Sequence, residues 1–442
     1  MTAHSHHQHD HAPSHGHSHV DEDMLSVEEA YQRIMSCFSP LETEEKALQD
    51  CLGQVLAANI TSPLDLPPLT NSAMDGYAVR QEDIREASGQ SPRQLRVIGL
   101  VAAGQVSSQT VTSGTAIRIM TGAPIPAGAD TVVPFEETDE VRRRDSGQTL
   151  EQINIEAGLP PGSNVRPSGE DVLKGQLVLE AGTVIRPSVV GVLASLGLQQ
   201  ARVIRRPVVS ILATGDELVG VGEALGPGQI FDSNSAGVAA SVVAAGGLPR
   251  VLGIARDTLD SLHQKLEEVT GSDLLITSAG VSKGDYDIVK DVLNERGDIN
   301  FWSVRMRPAK PLAFGHLRGD GSPIPMLGLP GNPVSAMVAF EMFARPAIRT
   351  MLGMSNLARP MVTGILTGPI FNGDGRRVYA RVEVEKRDGI YYAAPTGPQG
   401  SNILTSMSRA NGLAICPDDE TYRQAGDPVD IIMLDWNEEV DL

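Results

Sequence analysis

The chain has 442 residues, with 36 basic against 55 acidic side chains and a formal net charge of −19. That balance excludes nucleic-acid binding by bulk electrostatics, which requires a clustered basic surface. Apolar residues at 41% suffice for buried cores and exclude global disorder, while 45 Gly and 29 Pro predict many tight turns. Cys37, Cys51 and Cys416 are scattered and odd in number. No disulfide framework or zinc knuckle is therefore expected, and a reducing cytoplasm fits. No apolar run approaches the roughly 20 residues of a membrane helix, nor is there the apolar core of a signal peptide. At roughly 100–200 residues per domain, about two to four domains are expected.

Residues 1–22 form a His-rich head in which His4 through His19 are spaced by Ser, Gly, Pro, Gln and Asp. Nothing in it can be buried, so it reads as a disordered tail whose imidazoles capture divalent metal without fixed geometry. From Met24 a helix is predicted, with Ser26 as N-cap, Glu29 three residues on, and Val27, Ala30 and Ile34 as its apolar stripe. A shorter helical piece over 44–51 and a strand, QVLAANITS, follow, then an extended passage from Pro63 to Pro68. Short β runs (QLRVIGLVA, TAIRIMTG, DTVVPFEET, QINIEA) between Gly, Pro and Ser predict a β domain over 70–171. It is inserted into a discontinuous α+β linker domain, 23–69 and 172–204, whose second half carries a helix opened by Pro187. Residues 205–356 alternate strands (VVSILAT, RVLGIAR, DLLITS, PMLGL) with helices, which predicts a doubly wound α/β domain on a parallel sheet. From 357 to 442 short strands return, predicting a C-terminal, barrel-like β domain.

In an open parallel sheet, ligands bind beyond the carboxyl ends of the strands. Three strands end in polar, glycine-containing loops: ILATGDEL (211–218), ITSAGVSKGDYD (276–287) and LGLPGNPVS (327–335). In the third, Pro330 and Gly331 lead to Asn332 as N-cap and Pro333 at the first helical position, with Ser335 in the first turn. The expectation is a helix N-terminus with free N–H groups suited to an oxyanion. Ser278, Gly280 and Ser282 of the second loop suit a phosphate nest, and Asp285 and Asp287 add oxygen ligands of the kind Mg2+ prefers. Asp216, Glu217 and Asp232 are expected to converge on the same cation. Arg305, Arg307 and Lys310 stand in VRMRPAKPLAF and offer cations to a polyanion. Asp75, Thr121, Arg166 and Asp171 stand in TNSAMDGYAV, MTGAPIPAGAD and NVRPSGEDV. By themselves they are turn residues and an exposed Arg166–Asp171 ion pair worth less than about 1 kcal/mol.

MDGYA, MTGAP, VRPSGED, ATGDEL, GQIFDSN, AGVSKGDYD, RPAKP and PGNPVS, with TGPQGSN beyond them, follow one another along the chain. In these blocks and their order the chain resembles the molybdopterin molybdenumtransferases, the family that includes the catalytic domain of gephyrin, from about Met24 to the C-terminus. The resemblance implies a cytoplasmic, elongated homodimer of four-domain subunits. It would consume adenylylated molybdopterin and molybdate and release AMP and molybdenum cofactor in a Mg2+-dependent reaction. Asp232 and Asp285 resemble the acids that hold Mg2+, and Glu217 and Asp171 the family's acidic site positions. Asp75 and Thr121 would reach a partner subunit's cleft. Arg307, Lys310, Ser335, Arg376 and Ser401 resemble residues that handle molybdate and the pterin phosphates, with Arg166 and the two glycine-containing loops as further substrate contacts. A molybdopterin adenylyltransferase and molybdoenzyme apoproteins are the implied partners. Two departures stand out: Arg307 and Ala309 replace the Lys and Gly of the family's KPGKP run, and Ala279 replaces a usual Gly. A non-catalytic molybdopterin-binding scaffold is disfavoured by the intact acids at 171, 217, 232 and 285. A nucleotide-acting relative sharing only the α/β domain is disfavoured by the MDGYA module and the C-terminal β domain.

Overall fold

The computed structural model describes residues 24–279, 288–318 and 322–435. The His-rich head, together with Gly280, Ser282, Asp285 and Asp287, lies outside the described residues. The chain divides into two compact units: Glu45–Leu52 with Leu56–Arg202, and Met1–Glu44 with Gly53–Val55 and Val203–Leu442.

The first unit is built on a five-stranded sheet in the order Thr131–Pro134, Gly76–Val79, Thr115–Ile119, Arg93–Val101, Gln152–Ile155. Successive side chains of a strand face opposite ways. Tyr77 and Val79 accordingly enter one apolar cluster with Ile84, Val133, Ile153 and Ile155. Ala78 enters another with Ile117, Ile119 and Val132. Arg118 lies 5.4 Å over the Tyr77 ring and donates to the buried Glu140 carboxylate at 3.0 Å. The MDGYA block is thus a central strand, buried at every position from Gly76 to Val79.

Two local expectations fail in this region. The stretch expected to be helical over 44–51 is a strand, Thr43–Ala47, and one 3-10 turn, Leu48–Asp50. Its Leu48 N–H donates to Gln199 rather than back along a helix. QVLAANITS is not one strand either. Only Ile60–Thr61 forms a strand, paired with Leu177–Leu179, because Leu56 and Ala57 donate to Thr183 and Arg202 on separate segments.

The second unit contains a six-stranded sheet. Its elements in chain order are β1 (Val208–Thr214), α1 (Ser233–Ala245), β2 (Leu248–Ala255), α2 (Leu259–Glu267), β3 (Leu274–Ser278), α3 (Ile288–Arg296), β4 (Gly297–Ser303), β5 (Pro311–Leu317), β6 (Ile324–Leu329) and α4 (Pro333–Ala339). The strand order is β2-β1-β3-β6-β5-β4. One face buries Val209, Ile211, Leu274 and Ile276 under α1 and α4, and the helix Val27–Met35 joins that core through Val27, Ala30 and Ile34. The other face buries Leu212, Leu275 and Met326 under Leu262 and Leu266 of α2 and Leu293 of α3. Helices cover both faces, as expected, but the sheet is mixed: β5 and β4 run antiparallel to their neighbours. The connection from β4 to β5 spans only residues 304–310, too short for the crossover of a dozen or more residues that a parallel pair needs.

The barrel closes through β7 (Met361–Leu366), β8 (Arg377–Arg387), β9 (Ile390–Pro395), β10 (Gly412–Cys416) and β11 (Pro428–Met433). Its order is β8-β9-β7-β11-β10, with β10 pairing back onto β8. Val378, Ala380, Val382 and Val384 fill its interior. The short strand Met306–Arg307 adds to β8 in parallel, which lays the RPAKP run of the α/β region along the barrel wall.

Gly76 shows why this motif tolerates no side chain: a Cβ there would stand 2.0 Å from the Val133 carbonyl oxygen. Gly76→Ala should cost about 3 kcal/mol, read as a fall of roughly 10 °C in that unit's thermal midpoint.

Candidate functional site

A cavity of about 910 Å3 is lined jointly by the carboxyl end of the α/β sheet and by the barrel. Arg307, Lys310 and Arg376 enter its wall together with Glu217, Ser335 and Ser401. Arg307 is placed by the pairing of Met306–Arg307 with β8, and its guanidinium donates to the Phe371 carbonyl. Arg376 immediately precedes β8 and donates to Asp374 at 3.0 Å and to the Met306 carbonyl at 3.4 Å. Lys310 is held at the start of β5, where its carbonyl accepts the Val304 N–H at 2.7 Å. Burial by itself would raise the Asp374 carboxyl, but the hydrogen bonds and charge of Arg376, with the charge of Arg307, hold it below the usual carboxylate range. Ala279 and Ala309 both adopt φ of 76° in the cavity wall. Alanine there carries the left-handed strain of about 1 kcal/mol that glycine would not.

A side chamber of about 340 Å3 shares Glu217, Ala279, Gly331 and Asn332 with the main cavity and adds Asp232, Asn234 and Ser278. Asp232 is 7% exposed and caps α1, its carboxylate accepting the Ser235 N–H at 3.0 Å. The Asn234 amide donates both to the Ser278 hydroxyl and to the Gly331 carbonyl, each at 2.7 Å. One side chain therefore ties together the ends of β3 and β6 and the start of α1. Asp216 does not converge with Glu217 and Asp232. Its carboxylate accepts the Asp257 N–H at 3.2 Å, and burial followed by the Asp216 charge raises the Asp257 carboxyl.

The turn before α4 also differs from expectation. Asn332 occupies the N-cap position without a side-chain cap bond. Pro333 has no N–H, and the Val334 N–H is taken by the Ser401 carbonyl at 3.1 Å. The Val334 N–H is thus spent on the barrel loop, while Gly331, Asn332 and Ser335 line the cavity beside its guanidinium and ammonium groups. The same bond fastens the TGPQGSN loop of the barrel to the α/β domain.

That loop is organised by Arg381, a residue the sequence reading passed over. Arg381 is 1% exposed and donates to the Ser406 hydroxyl at 3.0 Å and to the carbonyls of Gln399 and Gly400 at 3.1 and 2.9 Å. No carboxylate pairs with it among the described residues, and burial pushes its guanidinium down to about 10. Gln399 and Gly400, next to Ser401, also line the cavity. Asn234 was legible as the last letter of GQIFDSN, whereas Arg381 sits in a β run whose alternation says nothing of its partners.

Asp75 and Thr121 belong to the other unit and meet there: the Thr121 N–H and hydroxyl both donate to Asp75 at 2.7 Å. Those two bonds hold the Asp75 carboxyl below its ordinary range. Arg166 and Asp171 lie in the same unit but form no ion pair with each other among the described residues. Arg166 is fixed through its backbone against Asn71, and the Asp171 N–H bonds the Leu66 carbonyl.

Three family profiles match consecutive stretches of the chain: "MoeA N-terminal region (domain I and II)" over 25–197, "Probable molybdopterin binding domain" over 210–350, and "MoeA C-terminal region (domain IV)" over 363–434. The chain is 37% identical over 410 residues to molybdopterin molybdenumtransferase 2 of Mycobacterium tuberculosis, covering 91% of this chain and 98% of that one. It is 36% identical to the molybdopterin molybdenumtransferase of a Nostoc species, with 90% of each chain covered. It is 34% identical to that of Bacillus subtilis, with 93% and 94% covered. The crystal structure of a molybdopterin biosynthesis MoeA protein from Pyrococcus horikoshii superposes with a TM-score of 0.76 at 30% identity, covering 93% of this chain and 99% of that one.

Arg381→Met would leave the carbonyls of Pro398, Gln399 and Gly400 without their buried donor. The expected result is a loss of about 3 kcal/mol in denaturant unfolding, accompanied by weaker oxyanion binding as Ser401 loses its fixed place.

Proposed function

The chain belongs to the molybdopterin molybdenumtransferase family, and from that footing we propose that its 910 Å3 cavity takes adenylylated molybdopterin and molybdate and yields molybdenum cofactor and AMP. One observation carries this reading: in a chain of net charge −19, Arg307, Lys310 and Arg376 converge on a single cavity with Ser335 and Ser401. A tetrahedral oxyanion needs such cations and hydroxyls, and guanidinium groups bind it through paired N–H donors. The dithiolene sulfurs belong to the substrate, so the protein need offer no thiolate. Cys51 and Cys416 are buried and Cys37 is exposed, all three as free thiols.

Cleaving a phosphoanhydride depends mainly on positioning and charge neutralisation. Arg307, Lys310 and Arg376 stabilise the anionic groups, while Asn234 ties the end of β3 and the turn after β6 to the start of α1. The donors in the side chamber are carboxylate oxygens, Asp232 and Glu217, which suit Mg2+. Mg2+ would be held by Asp232 with Asp285, and when bound it would supply positive charge to the pyrophosphate. Asp232 already gives one interaction to Ser235 and is fixed in place by it.

The proposal includes a homodimer of four-domain subunits, with boundaries after 69, 171, 204 and 356. Asp75 and Thr121, kept rigid by their mutual bonds, act on the substrate of the second subunit, and Arg166 and Asp171 contribute a cation and an acid. The reaction is placed in the cytoplasm, supplied by a molybdopterin adenylyltransferase and delivering to molybdoenzyme apoproteins.

Incubating the full chain with adenylylated molybdopterin, Mg2+ and molybdate should yield AMP and active cofactor in step, with both lost on chelation and regained with Mg2+. Tight substrate binding without AMP release would replace this reading with the scaffold. Asp75→Asn and Lys310→Ala, each inactive alone, should recover activity when co-assembled, since one subunit then keeps an intact cleft. No recovery would place Asp75 on its own subunit's substrate.

A further inference from the structure

The two cavity arginines are not held by the cavity itself. Between Phe371 and the start of β8 the chain runs Asn372, Gly373, Asp374, Gly375, Arg376, with Gly375 at φ of 66°. One oxygen of Asp374, Oδ2, lies 3.0 Å from Nε of Arg376 and 3.8 Å from a terminal nitrogen of Arg307. Arg307 also donates to the Phe371 carbonyl, and Arg376 to the Met306 carbonyl at 3.4 Å. Arg307 and Arg376 line the cavity, whereas Asp374 does not. The carboxylate therefore stands behind the arginines. Without it, two neighbouring cations would repel and rotate apart, and a guanidinium that rotates loses the fixed plane on which paired N–H donation depends.

We infer that Asp374 is a positioning residue that braces Arg307 and Arg376 from behind, so that their remaining N–H groups present one oxyanion-binding geometry to the cavity. The inference rests on the oxyanion reading of that cavity. It does not depend on catalysis, because the bridge orders the site before any substrate arrives. Five N–H donors on each guanidinium leave enough for the ligand after those spent on the loop.

The test is molybdate binding by the full chain, measured by calorimetry with molybdate alone, beside the thermal midpoint. Asp374→Asn should weaken molybdate binding about five- to tenfold, the size of one ordinary hydrogen bond, with the midpoint within about 2 °C of the parent. Asp374→Glu should return affinity to within about twofold by restoring the charge. Asp374→Ser provides a second neutral variant if the amide disturbs the loop, and it should weaken binding as Asn does. Tighter binding in the neutral variants would overturn the brace and make Asp374 a competitor for the arginines. Unchanged affinity, or no recovery with Glu, would overturn it as well. A parent chain that binds molybdate yet releases no AMP would refute the proposed reaction while leaving the brace intact.

Discussion

Three cations can share one cavity only if the backbone around them is held more firmly than they repel one another. That constraint governs the α/β and barrel unit. Two unit charges about 4 Å apart interact by roughly 4 kcal/mol at an effective dielectric of 20, enough to disperse side chains on mobile loops. Backbone and side-chain bonds tie several of the described segments together. The addition of Met306–Arg307 to β8 anchors the RPAKP run along its backbone. Asn234 joins the end of β3 to the turn after β6. The Ser401 carbonyl accepts the Val334 N–H, so a barrel loop closes the first turn of α4.

These ties change the chemical character of the site. A helix N-terminus with a proline at its first position and its next N–H taken by a neighbouring loop has fewer donors to offer an anion, and guanidinium and ammonium groups of the cavity add to them. The strain follows the same logic. Ala279 and Ala309 hold left-handed backbone in the cavity wall, a conformation that persists where surrounding structure over-determines it. Arg381 is the extreme case, a cation with no carboxylate partner among the described residues, kept because loop carbonyls and a hydroxyl solvate it in place of water.

Not every motif residue is there for chemistry. Gly76 and Tyr77 of MDGYA are packing positions in a central strand, the first excluded from bearing a Cβ by the Val133 carbonyl, the second stacked under Arg118. Asp75 is different: half-buried and gripped by Thr121, it joins two blocks that lie far apart in sequence.

The sequence by itself determined the alternation of strands and helices from Val208 to Met351, the closed β domain after it, the capping box at Ser26 and Glu29, and the blocks that identify the family. All of these are written in local periodicity, turn chemistry and short-range spacing, which need no knowledge of distant partners. Only the tertiary structure decided that β4 and β5 turn antiparallel, that 44–51 is not helical, and that the Asp216 carboxylate takes the Asp257 N–H. It also decided that Asn332 leaves its helix uncapped and that Arg381 holds the loop of Ser401. Each of these depends on which backbone group or charge a distant segment brings within hydrogen-bond reach, and no pattern of neighbouring residues encodes that choice.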